Sequence, residues 1–249
     1  IRNQYFTADK EKRACTSLGK CDPFRFDEMA DIKTKMYHFA GLVYGDFDGE
    51  LIRESAKHGK VAVDVQCMLR HVEPDKTMAF HDWADKKEIL PLIDYLKTDA
   101  AEAEILTGTN DRVKAAHMLH EWGAKEVMIS HNTELLVYDG EKIYTCPIKA
   151  RNLSGRTGRG DTAFAGYINE RQHASVEEAP LWSPSRWRPR VPSAAAARTL
   201  LPTSTSSISN PQDQYAQETP LLLMQKGRFY GTASKQSLGT AKKDEPFGS

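Results

Sequence analysis

Residues 152–171 read N-L-S-G-R-T-G-R-G-D-T-A-F-A-G-Y-I-N-E-R, and this stretch decides how the rest of the sequence is interpreted. Three glycines make a loop, and Phe164, Ala165 and Ile168 follow at helical spacing, which predicts a helix that starts near Asp161. Glycine lets a ligand approach the main chain, and the amino end of a helix combines free N–H groups with the positive end of the helix dipole. The stretch therefore predicts a binding site for an anion, of which phosphate is the commonest.

Asp161 is the unusual residue of this stretch, because a carboxylate stands where the anion would bind. The spacing alone leaves two interpretations open. Asp161 is either the N-cap of its helix, a position that aspartate often takes, or a group that reacts with what the loop holds.

The segment 155–166, G-R-T-G-R-G-D-T-A-F-A-G, resembles the C-terminal signature of the ribokinase-like sugar kinases of the phosphofructokinase-B type, commonly D-T-T-G-A-G-D-x-F-x-A-G. The resemblance implies that Asp161 is the base that deprotonates the acceptor hydroxyl, and that Phe164 and Gly166 complete the pattern. It also implies an anion hole for the transferred phosphoryl group, formed by the main chain of Thr157, Gly158, Arg159 and Gly160.

The sequence departs from this signature in two ways. Gly155 stands where the family has its first aspartate, and Arg156 and Arg159 replace small residues. Arginine is well suited to phosphate, so Arg156 is a candidate phosphate contact. The two arginines are also compatible with a subgroup of the family that has its own substrate.

A second constellation, D-x-x-E at Asp99 and Glu102, follows a predicted strand. The family carries K-x-N-x-x-E at the matching place, associated with Mg²⁺ and its waters, and Lys97 completes that match. The resemblance therefore implies that Glu102 and Asp99 steer Mg²⁺, mostly through water, as suits this ion. The other interpretation is an acidic, solvated first helical turn, which is favourable for the helix dipole.

Two further strand ends carry polar residues. Ser130 follows the strand where the family has T-x-G beneath the nucleotide phosphates, so it is a second candidate phosphate contact. Asp64 and Gln66 end another strand with D-x-Q, and Asp64 either supports the site from behind or is an ordinary strand-end acid.

Composition and charge exclude several classes of protein. The 249 residues carry a formal net charge of zero, which argues against nucleic acid or an anionic membrane as partner. No apolar run approaches the roughly 18 residues that a membrane span needs. The four cysteines lack the C-x-x-C spacing of a zinc site, and we expect reduced thiols in a cytoplasmic protein.

Strand-like and helix-like segments alternate between residues 35 and 148. The β-branched run V-A-V-D-V at 61–65 follows a helical pattern that ends at Gly59, and Asp139-Gly140 marks a hairpin with a two-residue turn. Such alternation predicts right-handed βαβ crossovers and a mostly parallel sheet. Together with the resemblance it predicts a three-layer α/β/α ribokinase-like fold.

We expect a kinase domain over residues 1–180 that lacks part of its front, since the family's first strands and substrate-binding glycines have no counterpart here. The β-prone residues 1–15 resemble a strand of the small β lid that closes over the substrate in this family. That lid often pairs two subunits, so a homodimer through the lid is an expected assembly.

The composition changes after about residue 180. The segment 183–210 contains no Asp, Glu, Lys or Gly, although 27% of the whole chain is charged. We interpret 181–249 as an irregular tail rich in Ser, Pro, Ala and Arg, and 180–220 as a foreign or out-of-frame insert. We expect residues 183–220 to be mostly exposed, with Trp182 and Trp187 not both buried. L-L-L-M-Q-K-G-R-F-Y-G-T, from residue 221, again resembles the family's closing strand and turn.

The function that the resemblance implies is ATP- and Mg²⁺-dependent phosphoryl transfer to a hydroxyl of a sugar or nucleoside-like small molecule. An alternative is a non-catalytic ribokinase-like protein that binds a nucleotide without turnover. A Rossmann-type binder ranks last, because no G-x-G-x-x-G follows an early strand.

Overall fold

The computed structural model describes residues 1–6, 13–148, 158–177, 221–225 and 228–231. Within them, twelve strands are β1 (Arg2–Tyr5), β2 (Arg13–Thr16), β3 (Met36–Ala40), β4 (Lys60–Asp64), β5 (Arg70–Val72), β6 (Met78–Phe80), β7 (Tyr95–Asp99), β8 (Glu126–Ser130), β9 (Glu134–Tyr138), β10 (Ile143–Pro147), β11 (Leu221–Gln225) and β12 (Arg228–Gly231). The α-helices are α1 (Gly49–Ala56), α2 (Gln66–Leu69), α3 (Lys86–Ile89), α4 (Ala100–Thr107), α5 (Arg112–Glu121) and α6 (Arg159–Glu170). Two short 3₁₀ helices span Phe26–Met29 and Leu90–Leu92.

Eight of these strands form one sheet in the order β10-β9-β8-β7-β4-β3-β11-β12. The five inner strands from β8 to β11 are parallel, β9 and β12 run in the opposite direction to them, and β10 at the outer edge pairs antiparallel with β9. The mostly parallel sheet of the prediction is confirmed.

Side chains from both faces of the sheet are buried. Val61 and Val63 of β4 point into a core formed with α1, α3, α4 and α5, while Ala62 between them packs towards α6. Successive strand residues point to opposite faces, so a continuous apolar run is what a sheet covered on both sides requires. Helices therefore cover both faces of the sheet, and the three-layer α/β/α fold is confirmed.

The lid segment is larger than predicted. β1 and β2 pair as a hairpin, and a second hairpin of β5 and β6 meets it through a bridge between Thr16 and Thr77. The sequence analysis placed one lid strand at 1–15 and did not identify β5 and β6, because three-residue strands carry almost no periodicity.

Two local predictions need correction. The β9–β10 hairpin has a four-residue loop rather than a two-residue turn, since Tyr138 pairs with Ile143. Asp139 accounts for this, because its Oδ1 accepts the N–H groups of Glu141 and Lys142 and stabilises the longer loop. Gly140 provides the positive φ of 97° that the loop needs.

The segment 181–249 is not irregular throughout. β11 lies parallel to β3 and β12 pairs with β11, so nine of its residues extend the central sheet. The predictions for 183–220, including Trp182 and Trp187, fall outside the described residues. No helix of the described part is long and apolar enough to cross a membrane.

Candidate functional site

The candidate site lies at one edge of the sheet, where parallel strands end. Asp64, Asp99 and Ser130 are the last residues of β4, β7 and β8. The carboxyl ends of parallel strands share one edge, and ligands of open α/β sheets bind there. The amino end of α6 reaches the same edge, since Gly160 packs against Lys97 of β7.

Helix α6 begins at Arg159, two residues earlier than predicted, with Gly158 as its N-cap. Gly158 has a φ of 86°, a conformation that glycine adopts without strain, and its carbonyl accepts the N–H and the hydroxyl of Thr162. Asp161 therefore lies inside the first turn and is not the cap of the helix. The apolar spacing could not locate this turn, because residues 158–162 are polar or glycine.

Asp161 is half-buried, and its side chain turns back towards the start of the helix. Its Oδ2 lies 4.0 Å from the point where a Cβ on Gly158 would stand. A carboxylate in the first turn is favoured by the helix dipole. This position puts a potential proton acceptor beside the N–H groups that open the helix.

A buried ion pair lies directly beneath this turn. Lys97 Nζ donates to Asp64 Oδ2 at 2.8 Å, and the two side chains are only 7% and 5% exposed. Burial alone would lower the pKa of the Lys97 ammonium, but the negative charges of Asp64, Glu102 and Asp161 outweigh it, and the pKa lies well above its ordinary value. Lys97 is therefore a fixed positive charge.

Gly160 allows this cation to approach the helix. A Cβ built on Gly160 would stand 3.2 Å from both Cε and Nζ of Lys97, and 4.0 Å from Ser130 Oγ. The Ser130 hydroxyl also reaches the Thr98 carbonyl at 3.4 Å. The structure thus brings Lys97, Ser130 and the start of α6 together at one point.

Asp99 and Glu102 form the start of α4. Asp99 Oδ1 accepts the N–H of Glu102, and Glu102 Oε2 accepts the N–H of Asp99, a reciprocal capping box. Glu102 is 3% exposed, so the interpretation of a solvated acidic turn is wrong for this residue. Burial raises the pKa of Glu102 to about 8, Lys97 opposes the shift, and the carboxylates of Asp99 and Asp64 reinforce it.

Asp99 and Glu102 could hold a metal ion that takes only one or two of its ligands from the protein, as Mg²⁺ does. The described residues contain no group of three or more His, Cys, Asp or Glu placed to hold a metal. Mg²⁺ usually keeps several waters and takes one or two carboxylates plus phosphate oxygens. Asp99 and Glu102 are adjacent hard oxygen donors of this kind.

His38 was missed by the sequence analysis. It is 1% exposed, its ring meets Phe164 of α6 edge-on with 5.0 Å between centroids, and neither ring nitrogen has a hydrogen-bond partner among the described residues. Burial lowers its pKa to about 4, with Asp64 opposing the shift and Lys97 reinforcing it. His38 is therefore a neutral neighbour of the ion pair.

The pairing of Lys97 with Asp64 was also missed, although both residues had been noted. The sequence did place both residues at or near the end of a predicted strand, which could have suggested that they meet. Of the other predicted site residues, Thr157 and Arg156 lie outside the described residues, and the structure describes only the backbone of Arg159.

The three-layer α/β/α fold, together with Asp161 in the first turn of α6, defines a protein of the ribokinase-like class. A model of the pfkB family of carbohydrate kinases matches residues 7–180, and the chain belongs to this family.

Its relatives include kinases with different acceptors and donors. The chain is 40% identical over 83 residues to a cytidine kinase of Thermococcus kodakarensis (strain ATCC BAA-918 / JCM 12380 / KOD1). This match covers 32% of the chain and 30% of the relative. A sulfate complex of a pyrophosphate-dependent kinase in the ribokinase family is 32% identical, with a TM-score of 0.64 over 67% of this chain and 60% of that one. A pyrophosphate-dependent kinase of the ribokinase family, complexed with a pyrophosphate analog and myo-inositol, is 31% identical, with a TM-score of 0.64 over 68% of this chain and 62% of that one. The chain thus spans less than two thirds of the length of these relatives.

Proposed function

We propose that the protein transfers a phosphoryl group to a hydroxyl of a small sugar-like or nucleoside-like acceptor. The observation that carries this proposal is the place of Asp161, in the first turn of α6 and above the buried cation Lys97. A base must lie within reach of both the acceptor hydroxyl and the phosphoryl group that the hydroxyl attacks. Membership of the pfkB family supports the reaction class.

In this mechanism Asp161 takes the proton of the acceptor hydroxyl as the oxygen bonds to phosphorus and the bond to the leaving phosphate breaks. The N–H groups of Thr157, Gly158, Arg159 and Gly160 hold the oxygens of the transferred group, as an oxyanion site would. Ser130 and Arg156 are proposed phosphate contacts. Glu102 and Asp99 would hold Mg²⁺, directly or through water, and the ion would neutralise charge on the phosphates.

The donor is proposed to be ATP or pyrophosphate. ATP follows from the resemblance of the 155–166 signature to the sugar kinases. Pyrophosphate is favoured by a separate observation, since two solved structures at 31–32% identity are those of pyrophosphate-dependent kinases. Arg156 and Arg159 add two positive charges near the anion hole, which suits a small, highly charged donor.

The proposed localisation is the cytoplasm, and the proposed assembly is a homodimer through the lid hairpins β1–β2 and β5–β6. Phe6, Leu18, Val72 and Phe80 leave 37–64% of their surfaces exposed in or next to these hairpins. Exposed apolar side chains of this kind are common where proteins associate.

A phosphoryl-transfer assay tests the proposal. Purified protein is given labelled ATP or labelled pyrophosphate, with a panel of acceptors that includes cytidine, myo-inositol and ribose, and labelled product is measured. We expect transfer to at least one acceptor from one donor, and its loss in Asp161→Asn. Nucleotide or pyrophosphate binding without any transfer would instead support the alternative, a non-catalytic binding protein.

A further inference from the structure

We propose that Lys97 and Asp64 are positioning residues for the base Asp161, an inference that rests on the proposed function. Their ion pair joins the middle of β7 to the end of β4 through a Lys–Asp hydrogen bond of 2.8 Å. Both side chains lie on the face of the sheet that α6 covers, as do Tyr95 two residues before Lys97 and Ala62 two residues before Asp64.

Burying an ion pair has a free-energy cost. Removing two charges from water is expensive, and an ion pair that is 7% and 5% exposed contributes little net stability compared with apolar side chains of similar size. This buried pair is therefore better explained by a role other than stability. The site that this pair adjoins provides one.

The ion pair also contacts the first turn of α6. Lys97 packs against the backbone of Gly160, because a Cβ there would stand only 3.2 Å from Nζ. Gly160 directly precedes Asp161 and belongs to the turn proposed to hold the phosphoryl group. The Lys97 charge therefore acts on that turn from beneath, where water is excluded and electrostatic interactions are stronger.

Carboxylates and a neutral histidine surround Lys97. Three carboxylates act on it, those of Asp64, Glu102 and Asp161, and the neutral His38 lies beside the pair. Asp64 is the carboxylate to which Lys97 donates a hydrogen bond, and Asp64 is itself fixed because its Oδ1 accepts the N–H of Gln66. Asp64 thus holds the ammonium under the turn, where its charge acts on the first turn of α6 and on Asp161.

The same sheet contains a control. Lys125 donates to Asp94 at 2.7 Å at the opposite edge, where the strands begin, and its side chain is 66% exposed. It is a lysine–aspartate pair of similar length, remote from the site. Lys125→Ala therefore measures what the loss of such a pair does without a positioning role.

The test compares Lys97→Ala, Lys97→Arg, Asp64→Asn and Lys125→Ala in the transfer assay, with thermal unfolding as a check of folding. We expect Lys97→Ala to lower kcat by about 100-fold, a typical effect of losing a preorganised electrostatic group, with the acceptor KM changed by less than about three-fold. Asp64→Asn should lower kcat by about ten-fold or more, because the Lys97 ammonium is then no longer held under the turn by a charged partner. Lys125→Ala should leave kcat unchanged.

Chemical rescue separates a positioning role from a structural one. Propylammonium replaces the missing atoms and charge of Lys97→Ala, while 1-propanol replaces only their bulk. Restoration of kcat by propylammonium or by Lys97→Arg, but not by propanol, supports the proposal. Unchanged kcat in Lys97→Ala, or a loss that neither the amine nor arginine restores, overturns it.

The inference can fail separately from the proposed function. Pyrophosphate binding is measured by titration calorimetry in the same variants, whether or not any transfer is found. We expect Lys97→Ala to weaken pyrophosphate binding about ten-fold, because a fixed charge beneath the anion site is lost, and Lys125→Ala to leave it unchanged. If the parent binds pyrophosphate but transfers nothing, the proposed function fails, and this affinity difference alone upholds or overturns the role of Lys97.

Discussion

Asp99 and Glu102 each accept a hydrogen bond from the main-chain N–H of the other, at 2.8 Å in both directions. This reciprocal pair fixes both carboxylates at the start of α4, at the edge of the sheet where β7 ends. One oxygen of each carboxylate makes the capping bond. The pair can therefore cap the helix and still offer an oxygen to a cation, which would favour the ionised form of Glu102 over its protonated form.

Glu102→Gln tests whether this charge serves Mg²⁺. The glutamine carbonyl can accept the same N–H of Asp99, so the cap is retained while the charge is lost. We expect the Mg²⁺ concentration for half-maximal transfer to rise about ten-fold, because a charged ligand to the ion or its water is removed. Glu104→Gln, an exposed acid of the same helix, is the control. An unchanged Mg²⁺ dependence would leave Glu102 as a capping residue only.

Asp161→Asn tests the proposed base. The amide keeps the size of the side chain but cannot take the acceptor proton, so we expect kcat to fall by roughly 10²–10⁴-fold, the usual contribution of a positioned general base. Donor affinity should stay within a few-fold, because the helix N–H groups remain. Asp85→Asn, at an exposed N-cap with no side-chain capping bond, is the matched control. Equal turnover in Asp161→Asn and the parent would remove Asp161 from the chemistry.

Three glycines of α6 and its cap should respond differently to alanine. Gly158 has a φ of 86°, and a Cβ there would meet Asp161 Oδ2 only at 4.0 Å, so the cost of Gly158→Ala is conformational and should lower the free energy of unfolding by about 1 kcal/mol. Gly160 has no positive φ, but a Cβ on it would stand 3.2 Å from Lys97 Nζ. Gly160→Ala should therefore displace the ammonium and lower kcat by about ten-fold. Gly166 lies within the helix, and no side chain of the described residues comes within 4 Å of its Cβ position, so Gly166→Ala should stabilise the protein by about 0.5–1 kcal/mol.

Urea unfolding and transfer assays on the same three variants separate these effects. A loss of activity in Gly166→Ala equal to that in Gly160→Ala would contradict the importance of the contact with Lys97. A Gly158→Ala variant as stable as the parent would contradict the conformational argument.

His38 should make the protein less stable in acid. The unfolded chain binds a proton at His38 below about pH 6.5, whereas burial in the folded protein delays this to about pH 4. The unfolded state therefore binds more protons between these values, and stability is lost as the pH falls from about 6.5 to about 4. The maximum loss is roughly 3.5 kcal/mol, because lowering the pKa from 6.5 to about 4 corresponds to about 1.4 kcal/mol for each pH unit.

The measurement is the difference in unfolding free energy between the parent and His38→Gln, from urea titrations at pH 7.5, 5.5 and 4. Glutamine does not titrate, so this difference should shift in favour of the variant as the pH falls. His131→Gln, which changes an exposed histidine in the same way, is the control variant. A flat difference for His38→Gln would show that His38 is not held neutral.

Local sequence determined much of this protein. Asp99 caps α4 and Gly108 ends it with a φ of 73°, as their residue types predict, because an N-cap acceptor and a left-handed glycine act over a few residues of chain. The spacing of Phe164, Ala165 and Ile168 likewise predicted helix α6, and only the position of its first residue was wrong. The alternation of strands and helices was sufficient to predict the three-layer fold, since parallel strands need crossovers that cover the sheet.

Tertiary structure alone decided what surrounds Asp161. Asp64 and Lys97 are 33 positions apart, and they meet because β4 and β7 are neighbours in one register. The V-A-V-D-V pattern is apolar on both faces, so it does not reveal which face Asp64 shares with which partner. His38 reads in sequence as part of an apolar strand, and only the packing of α6 shows it to be buried beside that pair. Strand order and register depend on contacts distant in the chain, and these contacts assembled the candidate site.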